Sequence, residues 1–450
     1  MKNRLVHLDF LRGLAALLVV SEHLRAFFFV TFPELQSPGI LAKAFYLVTG
    51  LGHQSVMIFF VLSGYLVGGS VLTALEKGKW SWKSYLLRRM SRLWVVLIPA
   101  LVLTLLWDKI GYAHAPAGYE GAYRAIYNTG PTPTGPAEWS LPLFFGNMGF
   151  LQTISIPCFG TNSPLWSLAN EFWYYLLLPL LLTVFLPGRL LVRVPSLLAA
   201  MLLILLLPST VLFGGVIWLS GVAVFFLIRK ASVRPIVTHP LWLGLGLLLT
   251  VGMLLATRLG TMGWGGDLAL GLACAVLVAG LACTSSANSL YEKMSAGMSD
   301  ISYTLYLVHF PLMAFIFFVF FHGQQIVPNS VTSLCFVGLL TVTLAYSIGI
   351  WWLFERNTDE VRVFVESRID LLAGREPITA GFRVPWLMPW MLAGRISTLG
   401  ERSAPLWRWI CGTGDGYLGT PWGRALLRPG PALTYSSLYL ILFMTVCDRC

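Results

Sequence analysis

Apolar runs of about 18 residues or more recur along this chain, and a helix of that length crosses the roughly 30 Å of hydrocarbon in a bilayer. A soluble domain does not repeat such runs. Only 11% of the 450 residues are charged and 56% are apolar, against a charged share of about 25% in soluble domains. The fold class read from this pattern is an all-α integral membrane protein, a polytopic bundle of about ten transmembrane helices. The spans are read at about 8–30, 53–72, 93–110, 165–186, 195–208, 211–228, 241–256, 266–283, 301–321 and 332–354. Pro208 divides the fifth from the sixth.

The first run follows Lys2 and Arg4, as in a secretory leader, but a leader has an uncharged centre and then a small-residue cleavage site. This run carries Asp9, Arg12, Glu22, His23 and Arg25, so it is read as a retained span with working polar groups. The charges elsewhere follow topology. With the N-terminus in the cytoplasm, one set of loops holds fourteen basic residues: Lys2, Arg4, Lys77, Lys79, Lys83, Arg88, Arg89, Arg92, Arg189, Arg193, Arg229, Lys230, Arg234 and Lys293. The opposite loops hold Lys43, Arg124 and Arg258, with Lys109 at a span edge. Basic residues collect in cytoplasmic loops, so the N-terminus is expected in the cytoplasm. The formal charge of +11 is thereby topological, and no nucleic-acid partner is expected.

Seven cysteines are scattered, several inside apolar runs, and form no disulfide framework. The closing Cys447-Asp-Arg-Cys450 is a lone pair at a chain end and is not taken as a metal or redox site; no metal is expected. Residues 111–164 are rich in turn formers, as in Gly130-Pro-Thr-Pro-Thr-Gly-Pro136. They form an extracytoplasmic loop, either an acceptor-binding cap or a tether. Two regions follow: a transmembrane domain over 1–355 and a cytoplasmic or membrane-associated tail over 356–450. Residues 356–430 show no clear helical or strand period, and about 431–446 is a marginal span.

A charge at the bilayer centre costs at least about 2.5–3.5 kcal/mol, so intramembrane polar residues mark function. Arg12 and His23 are eleven positions apart, which at about 100° per residue returns to the same helix face about 16 Å further along the axis. Asp9 stands near that face. Histidine is neutral at neutral pH yet accepts a proton, which suits a general base; a histidine bonded to a neighbouring helix as packing has the same appearance. Glu22 and Arg25 point elsewhere.

Arg88, Arg89 and Arg92 open the third span at i,i+3 and i,i+4 spacing, where guanidinium forks converge and bind phosphates; setting topology and meeting lipid headgroups need the same residues. Glu171 enters the fourth span within Ser163-Pro-Leu-Trp-Ser-Leu-Ala-Asn-Glu171. It is placed to orient His23, to position an acceptor hydroxyl or to balance an arginine. Trp166, Trp173, Tyr174 and Tyr175 suit the interfacial aromatic belt. Ser63 and Gly64 lie mid-span, where small residues allow close packing. His309 precedes Pro311, a proline that frees a carbonyl one turn back, and Glu355 ends the last span.

In order along the chain these segments resemble the acyltransferase-3 family. They are Arg12 to His23 in an Arg-x10-His helix, Phe59 to Gly64, Arg89-x-x-Arg92, Leu165 to Glu171, Ser302 to Pro311, and Glu355. The resemblance implies a membrane O-acyltransferase with a cytoplasmic acyl-CoA donor, acetyl-CoA being the expected one. The implied acceptor is a hydroxyl of an extracytoplasmic carbohydrate or lipid-linked glycan. By carry-over His23 is the catalytic residue with Arg12 its partner, and Glu171 is counted with them. Arg88, Arg89 and Arg92 would hold the donor, and Trp166, Ser167, Ser63 and His309 are the candidates for substrate contact. The rival readings are a secondary transporter or flippase using the same polar groups, which would commonly show inverted repeats, and a non-catalytic receptor or assembly subunit; no convincing repeat relates the two halves.

Overall fold

The computed structural model of the chain describes residues 5–120, 137–185, 190–260, 262–285 and 288–372. The turn-rich stretch at 130–136, Lys2, Arg4, Arg124 and Arg189, the apolar run at 431–446 and the terminal cysteine pair lie outside them. The helices are α1 (Val6–Phe28), α2 (Ile40–Val48), α3 (Gly52–Ser63), α4 (Gly69–Glu76), α5 (Trp82–His114), α6 (Leu141–Met148), α7 (Leu165–Phe185), α8 (Leu190–Leu206), α9 (Ser209–Leu227), α10 (Arg234–Val237), α11 (Pro240–Leu259), α12 (Gly263–Cys283), α13 (Ser289–Phe320), α14 (Ser330–Leu353) and α15 (Thr358–Leu372). Pairing between extended segments is limited, among the described residues, to the bridges Phe29–Ile326 and Gln152–Ile156.

Eight helical segments among the described residues are long and apolar enough to cross a membrane. They cover α2–α4, α5, α7, α9, α11, α12, α13 and α14 with α15. α1 joins them as a long helix interrupted by Asp9, Arg12, Glu22 and Arg25, and α8, at 17 residues, is at the lower limit of a span. The chain is an all-α integral membrane protein. Lipid offers the backbone no partner, so helices that satisfy their own N–H and C=O groups are the form such runs take.

The chain divides into two compact units, Met1–Trp80 with Met90–Thr358, and Ser81–Arg89 with Asp359–Cys450. In the first, α1 is central and packs most extensively on α13, then on α3. At the α1–α13 crossing, a Cβ on Gly13 would lie 2.5 Å from the Met298 Cβ, so the helices approach as closely as glycine allows. A buried cluster of Phe27, Phe28, Phe310, Phe317 and Phe318 closes the far end of this pair. α3 runs through a π-helical turn at Gly64–Gly68, a feature common at functional sites. Here it meets α9 backbone to backbone, since a Cβ on Gly64 would stand 1.9 Å from the Trp218 carbonyl oxygen and one on Gly221 2.0 Å from that of Val61.

Pro311 sits inside α13 and has no N–H for the carbonyl of Leu307. Asn162, from the segment before α7, donates its Nδ2 to that carbonyl at 2.9 Å and to Thr104 Oγ1 at 3.1 Å. The same segment is anchored on α5 by fully buried Asp108. That carboxylate accepts from the Thr161 backbone N–H (2.8 Å), Thr161 Oγ1 (2.6 Å) and Trp139 Nε1 (2.9 Å). The region read as a turn-rich loop therefore has a rigid C-terminal half. It includes α6, which the sequence reading did not contain, capped by Ser140 with Pro142 in the first turn.

In the second unit, Lys83 at the start of α5 pairs with Asp370 of α15 at 3.0 Å. A helix over 358–372 departs from the aperiodic reading of 356–430. Its apolar Val361, Phe364 and Ile369 are interleaved with charges, and Asp359 and Glu360 in the first turn favour the helix dipole.

Candidate functional site

His23 enters the interior because the face of α1 that carries it also carries Ala16, Val20 and Phe27, all buried against α13. His23 is 6% exposed and His309 not at all. Their rings lie parallel, 4° apart in plane with centroids 5.0 Å apart, and His23 Nδ1 is 2.7 Å from His309 Nε2. His309 Nδ1 in turn lies 2.8 Å from the Leu305 carbonyl oxygen, one turn earlier in α13. Phe310 meets the His23 ring edge-on at 5.0 Å. His309, expected as a substrate contact, is thus held against His23.

Arg12 lies toward the N-terminus on the same face of α1. Its guanidinium donates to the Ser299 carbonyl at 3.0 Å and to Ser299 Oγ. Ser299 Oγ donates to Asp9 Oδ1 at 2.7 Å, with Arg12 and Asp9 4.0 Å apart. Arg12 is therefore fixed to α13 rather than to His23. Beside it, Glu355 accepts from the Thr304 backbone N–H (3.1 Å) and Thr304 Oγ1 (2.5 Å). Arg92 is within electrostatic reach of both Arg12 and Glu355 and its side chain is exposed. Arg88 and Arg89 belong to the second unit, where Arg88 donates to Ser84 Oγ at 2.8 Å and Arg89 lies over the Tyr85 ring at 5.6 Å. Within the first unit, Arg92 stands near Arg12.

Glu171 terminates a directed chain of donors. Tyr175 donates its hydroxyl to Glu171 Oε2 at 2.9 Å. That leaves the Tyr175 oxygen to accept from Ser63 Oγ at 3.2 Å, and Ser63 accepts from Trp218 Nε1 at 3.1 Å. Ser63 is thereby placed in the support of Glu171. Ser167 bonds the Tyr306 hydroxyl at 2.7 Å, and Tyr306 lies one turn before His309 with ring centroids 6.2 Å apart. Trp166 packs edge-on to Phe60 at 6.3 Å. The ring bond that His23 makes among the described residues is the one to His309. Tyr303 is within electrostatic reach of Glu171, Arg92 and Glu355, so α13 carries a polar stripe from Ser299 through Tyr303 and Tyr306 to His309.

Glu22 and Arg25, pointing away from that face, serve packing. Glu22 accepts from the His53 backbone N–H at 3.1 Å, and Arg25 donates to the Thr49 carbonyl at 3.3 Å and covers the Tyr46 ring. The sequence reading gave no part to Ser299, Thr304, Tyr303, Tyr306 or Trp218. The spacing of Tyr306 three positions before His309, which brings it near the face of His309, was the signal available.

Neither the curated proteins nor the solved structures compared with this chain gave a match. A family model did: the acyltransferase domain of the acyltransferase-3 family matches residues 5–350, a stretch that holds every polar group of the site except Glu355. The match agrees with the resemblance carried by the Arg-x10-His helix and the segments after it. This chain belongs to the acyltransferase-3 family and is a membrane acyltransferase.

Proposed function

We propose that this protein transfers an acyl group, acetyl in the first instance, from cytoplasmic acyl-CoA to a hydroxyl of an extracytoplasmic carbohydrate or lipid-linked glycan. The observation that carries this reading is the placement of buried His23 about 16 Å along one helix face from Arg12. Arg12, with Arg92 and Glu355 nearby, marks the N-terminal end of the bundle. The excess of basic residues in the loops at that end supports reading it as cytoplasmic. Exposed Arg92 beside Arg12 suits the phosphates of the donor, whose extended thiol arm would lead the thioester along the face toward His23. Arg88 and Arg89 are proposed as further phosphate contacts.

His23 removes the proton of the acceptor hydroxyl as its oxygen attacks the thioester carbonyl. The tetrahedral adduct collapses, the C–S bond breaks, and the thiolate takes the proton back from His23 to leave as free CoA. In the alternative order His23 attacks first and carries the acyl group to the hydroxyl. Glu171, with Trp166 and Ser167 nearby in sequence, is the proposed acceptor-positioning group, and the segment before α7 the proposed acceptor cap.

The test uses purified protein in nanodiscs with radiolabelled acetyl-CoA, comparing the wild type with His23→Ala. Label passing to an acceptor, or CoA released to water, in the wild type alone is the expected result. Equal turnover by the two proteins overturns the role of His23. Absence of donor binding in both overturns the acyl-CoA assignment.

A further inference from the structure

The two histidines fix each other's protons. The Leu305 carbonyl is an acceptor only, so the His309 Nδ1 that lies 2.8 Å from it carries the hydrogen. A neutral His309 then has a bare Nε2. That nitrogen lies 2.7 Å from His23 Nδ1, so the hydrogen between the rings belongs to His23 Nδ1. With one hydrogen on a neutral imidazole, His23 Nε2 is left as a lone pair. We infer that His309 is the positioning residue of this site: it holds His23 as the Nδ1–H tautomer and makes Nε2 its reactive atom. The inference deepens the proposed acyl transfer and rests on it for its catalytic meaning, while the tautomer itself follows from geometry alone.

The usual orienting group for a catalytic histidine is a carboxylate. Here, among the described residues, no carboxylate bonds either ring, and a neutral imidazole does that work beside the edge of Phe310. A neutral partner has room for a proton. When His23 Nε2 takes the hydrogen of the acceptor hydroxyl, the Nδ1 hydrogen can pass to His309 Nε2. The positive charge then rests on His309, and the proton returns by the same path when the thiolate leaves. Should His23 instead take the acyl group on Nε2, transfer of the same Nδ1 hydrogen leaves a neutral acyl-imidazole and a protonated His309. In either order His309 receives charge without touching substrate, a role different from the substrate contact expected from the sequence.

The experiment is magic-angle-spinning NMR of the full chain in lipid, labelled with 15N in its 7 histidines. The His23 and His309 signals are assigned by difference from His23→Ala and His309→Phe. The wild type is expected to show a protonated Nδ1 and a bare Nε2 on His23. In His309→Phe, which keeps a ring on Phe310 but removes the acceptor, His23 is expected to move to a mixture or to the Nε2–H form. Turnover should fall by about 10²-fold or more, since the wrong tautomer of a catalytic histidine costs up to about 10⁴-fold. The KM for acetyl-CoA should stay within about threefold. His309→Gln, whose amide oxygen can replace Nε2 as acceptor, should restore the Nδ1–H signature and most of the turnover. An Nε2–H form of His23 in the wild type overturns the inference, as does a His309→Phe protein with wild-type turnover. The NMR arm reads the tautomer even if acetyl-CoA proves not to be the donor, so the two proposals fail separately.

Discussion

Asn162 and Pro311 should behave as one unit, and a double-mutant cycle measures it. Asn162→Ala removes two hydrogen bonds. Loss of the bond to Thr104 is cheap, because that hydroxyl keeps its own donation to the Ala100 carbonyl at 2.7 Å. Loss of the bond to Leu307 leaves a buried carbonyl that Pro311 cannot serve, and an orphaned acceptor costs about 1–3 kcal/mol. Side-chain hydrogen bonds in membrane proteins average about 0.6 and reach about 1.7 kcal/mol, so a total near 2 kcal/mol is expected for the single change. In a Pro311→Ala background the new amide N–H reaches Leu307, and Asn162→Ala should then cost under about 1 kcal/mol. The cycle therefore predicts a coupling of at least about 1 kcal/mol, read from reversible unfolding of the purified protein in mixed micelles of graded SDS content. Additivity within about 0.5 kcal/mol would refute the argument that Asn162 replaces the bond proline removes.

Gly221→Ala should destabilise by about 1–3 kcal/mol as an overpacked contact, because its Cβ would sit 2.0 Å from the Val61 carbonyl oxygen and 2.7 Å from the Tyr65 amide nitrogen. Gly252→Ala, with nothing within 4 Å of the added carbon, should leave the melting temperature unchanged or slightly raised. Arg12→Lys keeps the charge but replaces the planar guanidinium, whose Nη2 donates to both oxygens of Ser299, with a compact ammonium. A rise of about tenfold in donor Kd, roughly 1.4 kcal/mol, is expected in isothermal titration with acetyl-CoA, and an unchanged Kd would refute the reading that Arg12 stands beside the donor phosphates.

The parts of this fold that were legible in the sequence are those fixed by one helix at a time. Span positions follow from apolar length, and the common face of Arg12 and His23 follows from a spacing close to three turns. The partners on other helices were not legible, because nothing within α1 says that Ser299 and His309 lie opposite. Periodicity gives the direction of a side chain and never the identity of what it meets. His309 shows the limit well: its own turn predicted a freed carbonyl, yet the residue that caps that carbonyl, Asn162, comes from another segment 145 positions away. Ser63 looked like a packing residue beside Gly64. Gly64 is one, while the Ser63 hydroxyl links Trp218 to Tyr175. α15 was hidden because its charged face lowers the apolar signal on which the span reading relied.

The pairing of α1 with α13 also has a consequence in time. His309 follows His23 by 286 positions and Ser299 follows Arg12 by 287. At a synthesis rate of about 5–20 residues per second, that separation is roughly 15–60 seconds of translation. Over that interval α1 holds His23 at a depth where a polar group is costly, without the helix that receives it. Insertion of α1 must therefore be assisted or provisional, with its polar face sheltered by the insertion machinery or turned toward water until α13 arrives. A nonsense product ending within α12 would carry the complete His23 face and none of its partners, which marks such truncations for recognition and degradation rather than residual activity.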